Sequence, residues 1–436
     1  MHQGRESDNP QEEVTKEAMQ EERNPQVHVI AIGAELLSAD RLDTNSHEIQ
    51  EFLLELGLKV ERSVVVGDDA LAIASVIRES AKSAGVIITT GGLGPTEDDV
   101  TREGVAEAAG VPLHEDPGAL AVLERFFRER GRELKTSNRR QALIPGGGKV
   151  LPNPMGTAPA FMISVQGASV FCLPGVPAEM RHLMKEAVLP ALKETLGERK
   201  GLPIRAKVVL IGLTESTVND RIKDLLDGED PRTGITVTDS VITISLVSEG
   251  AKAKESIEGA KRRLHERFGD RIFAEDGETR LEEVVGKLLI DREITFALAE
   301  SCTGGLVSHM ITQVPGISAV FIQGAVTYSG EAKTRMLGVP EELMVRHGQV
   351  SREVAEAMAM GAAERAGARA GIGITGIAGP DGGTPDKPVG LVHMAVCLDG
   401  RVREKEYRFS GDRGMIKSRA AHLALDLLRR SILGLD

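Results

Sequence analysis

The stretch Val86-Ile-Ile-Thr-Thr-Gly-Gly-Leu-Gly-Pro95 decides how the first half of the chain folds. A short β-branched run enters a glycine turn, the pattern of a buried strand ending where the backbone must bend sharply. Upstream, Val27-His-Val-Ile-Ala-Ile is a buried-strand run ending at Gly33, and Lys59-Val-Glu-Arg-Ser-Val-Val-Val is the next strand. Ile49, Leu53, Leu54 and Leu56 lie at helical spacing between these two, and residues 70–84 are again helical. Strands alternating with helices predict a parallel sheet covered on both faces. Its ligand belongs at the carboxyl ends of the strands, where the Gly33 and Gly91 turns fall.

Further along, Ser169-Val-Phe-Cys-Leu leads into Pro174-Gly-Val-Pro-Ala-Glu179 and a helix to about residue 192, and the pattern breaks between Gly197 and Pro203. A strand over 205–211, a helix carrying Val218, Ile222, Leu225 and Leu226, strands near 234–238 and 240–247, a helix over 251–268 and a strand at 271–274 follow. That β-α-β-β-α-β order predicts a small two-layer α+β module, KH-like or ferredoxin-like. It lacks a G-x-x-G clamp for RNA, so a spacer or interface role is expected. From Leu281 a third α/β unit begins. The expected organisation is a disordered extension over 1–26, a parallel-sheet domain over 27–197, the small module over 203–277 and a C-terminal α/β domain over 281–436.

Bulk properties narrow the function. The 436 residues are 41% hydrophobic and 27% charged, as in a soluble globular protein. Lys+Arg 53 against Asp+Glu 65 gives a net charge of −12, which argues against non-specific nucleic-acid binding. Cys172, Cys302 and Cys397 form no C-x-x-C pair, which fits a reducing cytoplasm and offers no zinc site. No apolar run approaches the ~20 residues that span a bilayer, and the polar first residues are not a signal peptide.

A second glycine turn lies in Thr295-Phe-Ala-Leu-Ala-Glu-Ser-Cys-Thr-Gly-Gly305. An apolar run meets a hydroxyl- and glycine-rich turn that opens a helix, gathering backbone N–H groups into a seat for an anion. Downstream, Ser318 and Lys333 are candidates for nucleophile and base, which points to an enzyme acting on a phosphate-bearing small molecule. Ser318 as a helix cap and Lys333 as a solvated helix residue are the plainer alternatives. Cys302 has no histidine near it in sequence and is expected to be a buried packing residue.

In the first domain three clusters converge by position: Gly33-Ala-Glu-Leu-Leu with Asp43-Thr-Asn45, Gly91-Gly-Leu-Gly-Pro-Thr-Glu-Asp-Asp99, and Leu173-Pro-Gly-Val-Pro-Ala-Glu179. Glycine turns let amides approach a phosphate, and Asp98 with Asp99 can hold a hard divalent cation or cap the following helix. Together the clusters resemble the molybdopterin-binding-like domain of the CinA (competence/damage-inducible protein A) family. The resemblance implies a nucleotide or pterin fold and, in some members, a metal-dependent ADP-ribose pyrophosphatase. On that basis Glu35, Asp98, Asp99 and Glu179 are candidates near a divalent metal such as Mg, and Gly91, Gly92, Gly94, Thr96, Asn45, Asn138 and Arg139 near nucleotide or phosphate.

The C-terminal third resembles the same family's C-terminal domain. The matching stretches are Ala299-Glu-Ser-Cys-Thr-Gly-Gly305, Val326-Thr-Tyr-Ser, Glu331-Ala-Lys333, Gly348-Gln-Val-Ser351, Thr375-Gly-Ile-Ala-Gly-Pro-Asp-Gly-Gly383, Lys387-Pro-Val-Gly390 and Gly411-Asp-Arg413. Members include nicotinamide mononucleotide (NMN) deamidases, which implies hydrolysis of a carboxamide without a cofactor. Carried over, the resemblance makes Ser318 the nucleophile and Lys333 its base. Lys333 must then be desolvated or near another cation such as Arg413, which alternatively binds phosphate or ribose. Ser301, Thr303, Gly304, Tyr328, Thr375 and Arg413 are expected around the substrate. The expected partners are small nucleotides, NMN and ADP-ribose, with neither nucleic acid nor membrane, in a homodimer. A non-catalytic nucleotide- or pterin-binding or competence-linked interaction protein is the alternative.

Overall fold

The computed structural model describes residues 25–38, 40–196 and 203–435. The sequence expectation for the N-terminal extension falls almost wholly outside these residues, as does the boundary at 197. The chain divides into two units, one up to Pro203 and one from Ile204 onward.

In the first unit, strands β1 (Val27–Ile32), β2 (Val60–Val66), β3 (Val86–Thr90) and β8 (Ala168–Leu173) form the parallel part of one sheet. β7 (Ala160–Val165) and β6 (Lys149–Leu151) extend it antiparallel, giving the order β2-β1-β3-β8-β7-β6. β4 (Leu113–Glu115) and β5 (Leu143–Pro145) pair as a separate ribbon. β1 and β3 are buried along their whole length because helices cover both faces. Helix α1 (Thr44–Leu54) starts where the Asp43 carboxylate accepts from Ser46 N at 2.9 Å, and α2 (Ala70–Ala81) where Asp69 accepts from Ala72 N at 2.7 Å. α3 (Thr101–Ala109) ends at the left-handed Gly110, and α4 (Pro177–Leu183) starts with proline in its first turn.

The second unit contains two sheets. β9 (Ile204–Ile211), β10 (Arg232–Thr238), β11 (Val241–Ser248) and β12 (Ile272–Ala274) form an antiparallel sheet of order β10-β11-β9-β12. Helices α5 (Glu215–Arg221) and α6 (Ala253–Phe268) complete the split β-α-β module expected from sequence. Beyond α7 (Leu281–Asp291) comes a mixed sheet of order β14-β13-β15-β16-β17. β13 (Phe296–Glu300), β14 (Phe321–Val326) and β15 (Ala370–Gly376) are parallel, β16 (Leu391–Leu398) pairs antiparallel with β15, and β17 (Arg401–Arg408) antiparallel with β16. Helices α8 (Leu306–Ile311), α9 (Gly330–Leu337), α10 (Arg352–Ala366) and α11 (Arg413–Leu433) pack around it. β17 was not legible in the sequence, because its run of charged residues is that of a solvent-facing edge strand rather than a core one.

The small module is fastened to α11. Arg430 pairs with the Asp270 carboxylate, Arg429 Nη2 donates to the Asp270 carbonyl at 2.7 Å, and Ser418 Oγ donates to Asp239 Oδ2 at 2.6 Å. Ile211 of β9 is buried in the same apolar core as Leu423 and Leu427. No helix among the described residues is long and apolar enough to cross a membrane.

α10 lies directly on β15, which requires glycine beneath it. A β-carbon on Gly373 would meet the Ala355 carbonyl oxygen at 2.3 Å, and one on Gly371 the Ala359 carbonyl oxygen at 2.0 Å. The obstacles are backbone atoms, which have no rotamer with which to retreat. Gly373→Ala is therefore expected to lower the unfolding free energy by about 3 kcal/mol, the scale of overpacking in a rigid core. Chemical denaturation with an unchanged m-value tests it.

Candidate functional site

Glu300 ends β13 fully buried. Its carboxylate accepts from Gly305 N (3.0 Å), Val307 N (3.1 Å), Ser308 N (2.8 Å) and Ser308 Oγ (2.7 Å). The donors are the orphan amides at the start of α8, so the acid is the helix's own cap. This corrects the sequence expectation: the anion seat of the 301–305 turn is filled from within the chain. Gly304 and Gly305 adopt φ of +63° and +93°, which allows the turn to wrap the carboxylate.

Folding the turn over Glu300 sets the next residue, Ser301, against Lys333. Lys333 is 1% exposed, and its Nζ donates to Ser301 Oγ at 3.2 Å and to the Thr327 carbonyl at 2.9 Å. Both partners are neutral. Burial therefore pushes the Lys333 ammonium below the ordinary lysine range, against the opposing pull of Cys302. Lys333 reaches this place because α9 begins at Ser329, whose hydroxyl accepts from Ala332 N at 3.1 Å, and carries it inward from the end of β14.

Ser318 is not part of this arrangement. It lies exposed before the start of β14, whereas Lys333 follows the end of that strand. The six-residue strand between them spans roughly 20 Å, so within one chain the expected Ser318–Lys333 pair does not form. Parallel strands put all their carboxyl ends on one side, and Ser301, Thr327, Lys333 and Thr375 lie there, whereas Ser318 precedes its strand.

The other expected residues divide. Thr375, fully buried at the end of β15, donates to the Gln349 carbonyl at 2.8 Å. A β-carbon on neighbouring Gly376 would meet Cys302 Sγ at 3.0 Å, which places this strand end beside the Ser301 turn. Arg413 donates to the Tyr328 hydroxyl at 2.8 Å and to the Gly379 carbonyl at 2.6 Å, and so is not what lowers Lys333. Thr303 is fully buried, and its hydroxyl has no protein partner. The Cys302 thiol is pushed up to about 12 by burial, as suits a packing residue and not a nucleophile. Sequence reasoning missed Glu300 and Thr327. Glu300 carried a signal: an acid inside a fully apolar strand run must find donors, and the glycine turn after it supplies them.

In the first unit, Gly91 follows β3 with φ of +110°, and a β-carbon there would meet the Ile32 carbonyl oxygen at 2.1 Å. Asn45 Nδ2 donates to Thr90 Oγ1 and to the Gly175 carbonyl, both at 2.9 Å, which ties the ends of β3 and β8 to α1. Gly91, Gly92, Asn45 and the 173–175 loop are thus brought together at the strand ends. Asp99 turns back on its own loop, accepting from Gly94 N at 2.7 Å and Thr96 N at 2.8 Å. Arg139, expected near phosphate, is paired with Glu115 through Nη2 at 2.8 Å. Arg140 instead grips the loop, donating to the Thr96 carbonyl at 2.6 Å. Asn138 is half-buried on the same short helix as Arg139.

Glu179 is half-buried and accepts from Asn153 Nδ2 at 2.6 Å, and burial holds its carboxyl above the usual range. Glu35 and Asp98 are exposed. Among the described residues no three acidic, histidine or cysteine side chains are grouped to hold a metal ion. The expected metal set of Glu35, Asp98, Asp99 and Glu179 therefore does not assemble as a ready centre, chiefly because Asp99 is already satisfied by amides.

Comparison with known proteins matches three family models: a probable molybdopterin binding domain over residues 28–194, the damage-inducible protein CinA KH domain over 206–274, and the CinA C-terminal domain over 278–432. The chain is 43% identical over 408 residues to a CinA-like protein of Citrifermentans bemidjiense, covering 93% of this chain and 97% of that protein. It is 41% identical over 418 residues to a CinA-like protein of Anaeromyxobacter sp., covering 93% and 100%. A crystal structure of a competence/damage inducible protein from Agrobacterium tumefaciens is 38% identical, with a TM-score of 0.34, covering 36% of this chain and 97% of that one.

Replacing one acceptor oxygen of Glu300 with an amide sets donor against donor in a buried place. Glu300→Gln should therefore destabilise the protein by about 2 kcal/mol. The loss is expected as a lower denaturation midpoint accompanied by faster hydrogen exchange at the amides of Gly305, Val307 and Ser308.

Proposed function

The chain belongs to the CinA family, and from that footing we propose that its C-terminal domain hydrolyses the carboxamide of NMN, giving nicotinate mononucleotide and ammonia. The observation that carries this reading is a buried lysine, without a carboxylate partner, touching the hydroxyl of Ser301. Ser301 replaces Ser318 as the proposed nucleophile.

An amide resists attack, so the hydroxyl must lose its proton as it adds to the carbonyl carbon. Neutral Lys333 takes that proton from Ser301 Oγ, and a tetrahedral adduct forms. The resulting ammonium returns the proton to the departing nitrogen, the C–N bond breaks, and ammonia leaves behind an ester on Ser301. Water then adds to the ester with Lys333 again as base. Breakdown returns the proton to Ser301 and frees the carboxylate. Tyr328, Arg413 and the Thr375 end of β15 border this dyad and are assigned to hold the nucleotide.

For the N-terminal unit the reading is a nucleotide- or pterin-phosphate pocket at the ends of β1, β3 and β8, supported by the close approach of Gly91, Gly175 and Asn45. Metal-dependent cleavage of ADP-ribose is the finer reading that family likeness suggests. A divalent cation would polarise the pyrophosphate oxygens, but the donor set does not fit it as one group, and no step is derived through it. Phosphate release from ADP-ribose with and without chelator tests that activity, and absence of release leaves the domain as a binding module.

Ser301→Ala and Lys333→Met are each expected to reduce ammonia release from NMN by at least about a thousandfold, while Ser318→Ala retains the parent rate. Retained activity in Ser301→Ala, or its loss in Ser318→Ala, overturns the dyad.

Because the base must be neutral, the rate should rise with pH on an acid limb whose midpoint lies below the ~10.4 of a free lysine. Stability follows the same sign. The unfolded chain binds the extra proton between the lowered folded value and the ordinary one, so wild-type stability grows as pH rises through that window. Lys333→Met should lack this gain in denaturation curves taken across the window.

A further inference from the structure

α11 presents a second cation to the site. Arg413 and Lys417 lie four residues apart on its first turns and so share a face. Arg413 reaches Tyr328 and Gly379. Lys417 is half-buried, and a β-carbon placed on Gly304 would meet its Nζ at 3.5 Å. Gly304 belongs to the turn of Ser301, since its N–H donates to the Ser301 carbonyl at 3.1 Å. Lys417 therefore stands over the same turn under which Glu300 is sealed.

Neither cation has a carboxylate partner among the described residues. The acids nearest in sequence or contact are already engaged: Asp412 accepts from Met415 N at 2.9 Å, Asp239 accepts from Ser418 Oγ, and Glu300 is held by its four donors. Arg413 has only neutral acceptors, and Lys417 Nζ has no acceptor among the described residues. Two positive charges thus border the Ser301–Lys333 pair with no carboxylate on them among the described residues. A half-buried cation without a counter-charge is unfavourable until an anion arrives. The backbone amides of the turn do not serve, because Glu300 has taken those of Gly305, Val307 and Ser308.

We infer that Lys417, together with Arg413, binds the phosphate monoester of the substrate and so selects a nucleotide over its nucleoside. A phosphate monoester carries about −1.5 to −2 near neutral pH, which matches the two cations. The guanidinium offers a planar fork to two phosphate oxygens, and the ammonium adds a point charge. Lys417 acts on binding and not on the proton transfer, so its effect falls on KM. The identity of the substrate rests on the deamidase reading, but the phosphate subsite does not.

The test compares wild type, Lys417→Gln and Lys417→Arg on two substrates, NMN and nicotinamide riboside, by ammonia release. In parallel, the thermal shift produced by ribose 5-phosphate is measured for the same three proteins. Lys417→Gln is expected to lower the preference in kcat/KM for NMN over the riboside by about tenfold or more, mainly through KM, with Lys417→Arg restoring most of it. Ribose 5-phosphate should stabilise wild type and Lys417→Arg but not Lys417→Gln. Equal losses on both substrates, or no loss on either, overturn the assignment. If folded wild type releases no ammonia from NMN, the deamidase reading fails, and the thermal shift alone decides the subsite. Stabilisation that disappears in Lys417→Gln upholds it; equal stabilisation, or none in wild type, overturns it.

Discussion

Glu300 sets the geometry around Ser301 and Lys333 in this chain. A fully buried carboxylate is tolerable only when its oxygens are satisfied, and here three backbone amides and one hydroxyl do so. Hydrogen bonds to a charged acceptor each contribute about 1.5–3 kcal/mol. To make them, the backbone from 301 to 305 must curl over the end of β13, which needs left-handed Gly304 and Gly305. Ser301 is then fixed at the strand end, where α9 delivers Lys333.

The two buried ionisable groups of this turn are treated in opposite ways. Glu300 is surrounded by donors, three amides and one hydroxyl. Lys333 is given only a hydroxyl and a carbonyl, and burial holds its ammonium below the ordinary lysine range. Had the carboxylate faced the amine, an ion pair would have fixed the proton on lysine and removed the base. Glu300 is absent from the groups that move Lys333, which accords with its oxygens being turned toward α8. Separation of the pair leaves Lys333 without a carboxylate partner among the described residues.

Much of the fold was legible from residue pattern alone. The runs at Val27–Ile32, Val86–Thr90 and Phe296–Glu300 are buried strands, and the glycine turns after them lie at strand ends. What the pattern does not carry is direction in space. The family resemblance paired Ser318 with Lys333, yet the two flank one strand, whose six residues span roughly 20 Å. The parallel-sheet rule, applied strictly, would have favoured hydroxyls after strands over hydroxyls before them. Side-chain commitments were also hidden. Asp99 reads as a metal ligand or as a cap of the following helix, whereas it accepts from the loop amides of Gly94 and Thr96 that precede it.

The same substitution of an internal acid for an external anion occurs in both halves of the chain. In the first, Asp99 satisfies amides of the Gly91 loop; in the second, Glu300 satisfies those of the Gly305 turn. A glycine-rich turn opening a helix offers its N–H groups to whichever anion is nearest, and a carboxylate five residues away has no association entropy to overcome. A ligand phosphate would have to displace that carboxylate and leave it buried and unpaired, which costs more than the new contact returns. Anion recognition must then pass to side-chain cations whose charge is not already spent. In the C-terminal domain those are Arg413 and Lys417, set on a helix whose own N-terminal amide at Met415 is likewise capped by Asp412. An acid beside a glycine turn is thus a reason to look for the ligand's counter-charge on the neighbouring helix, not in the turn itself.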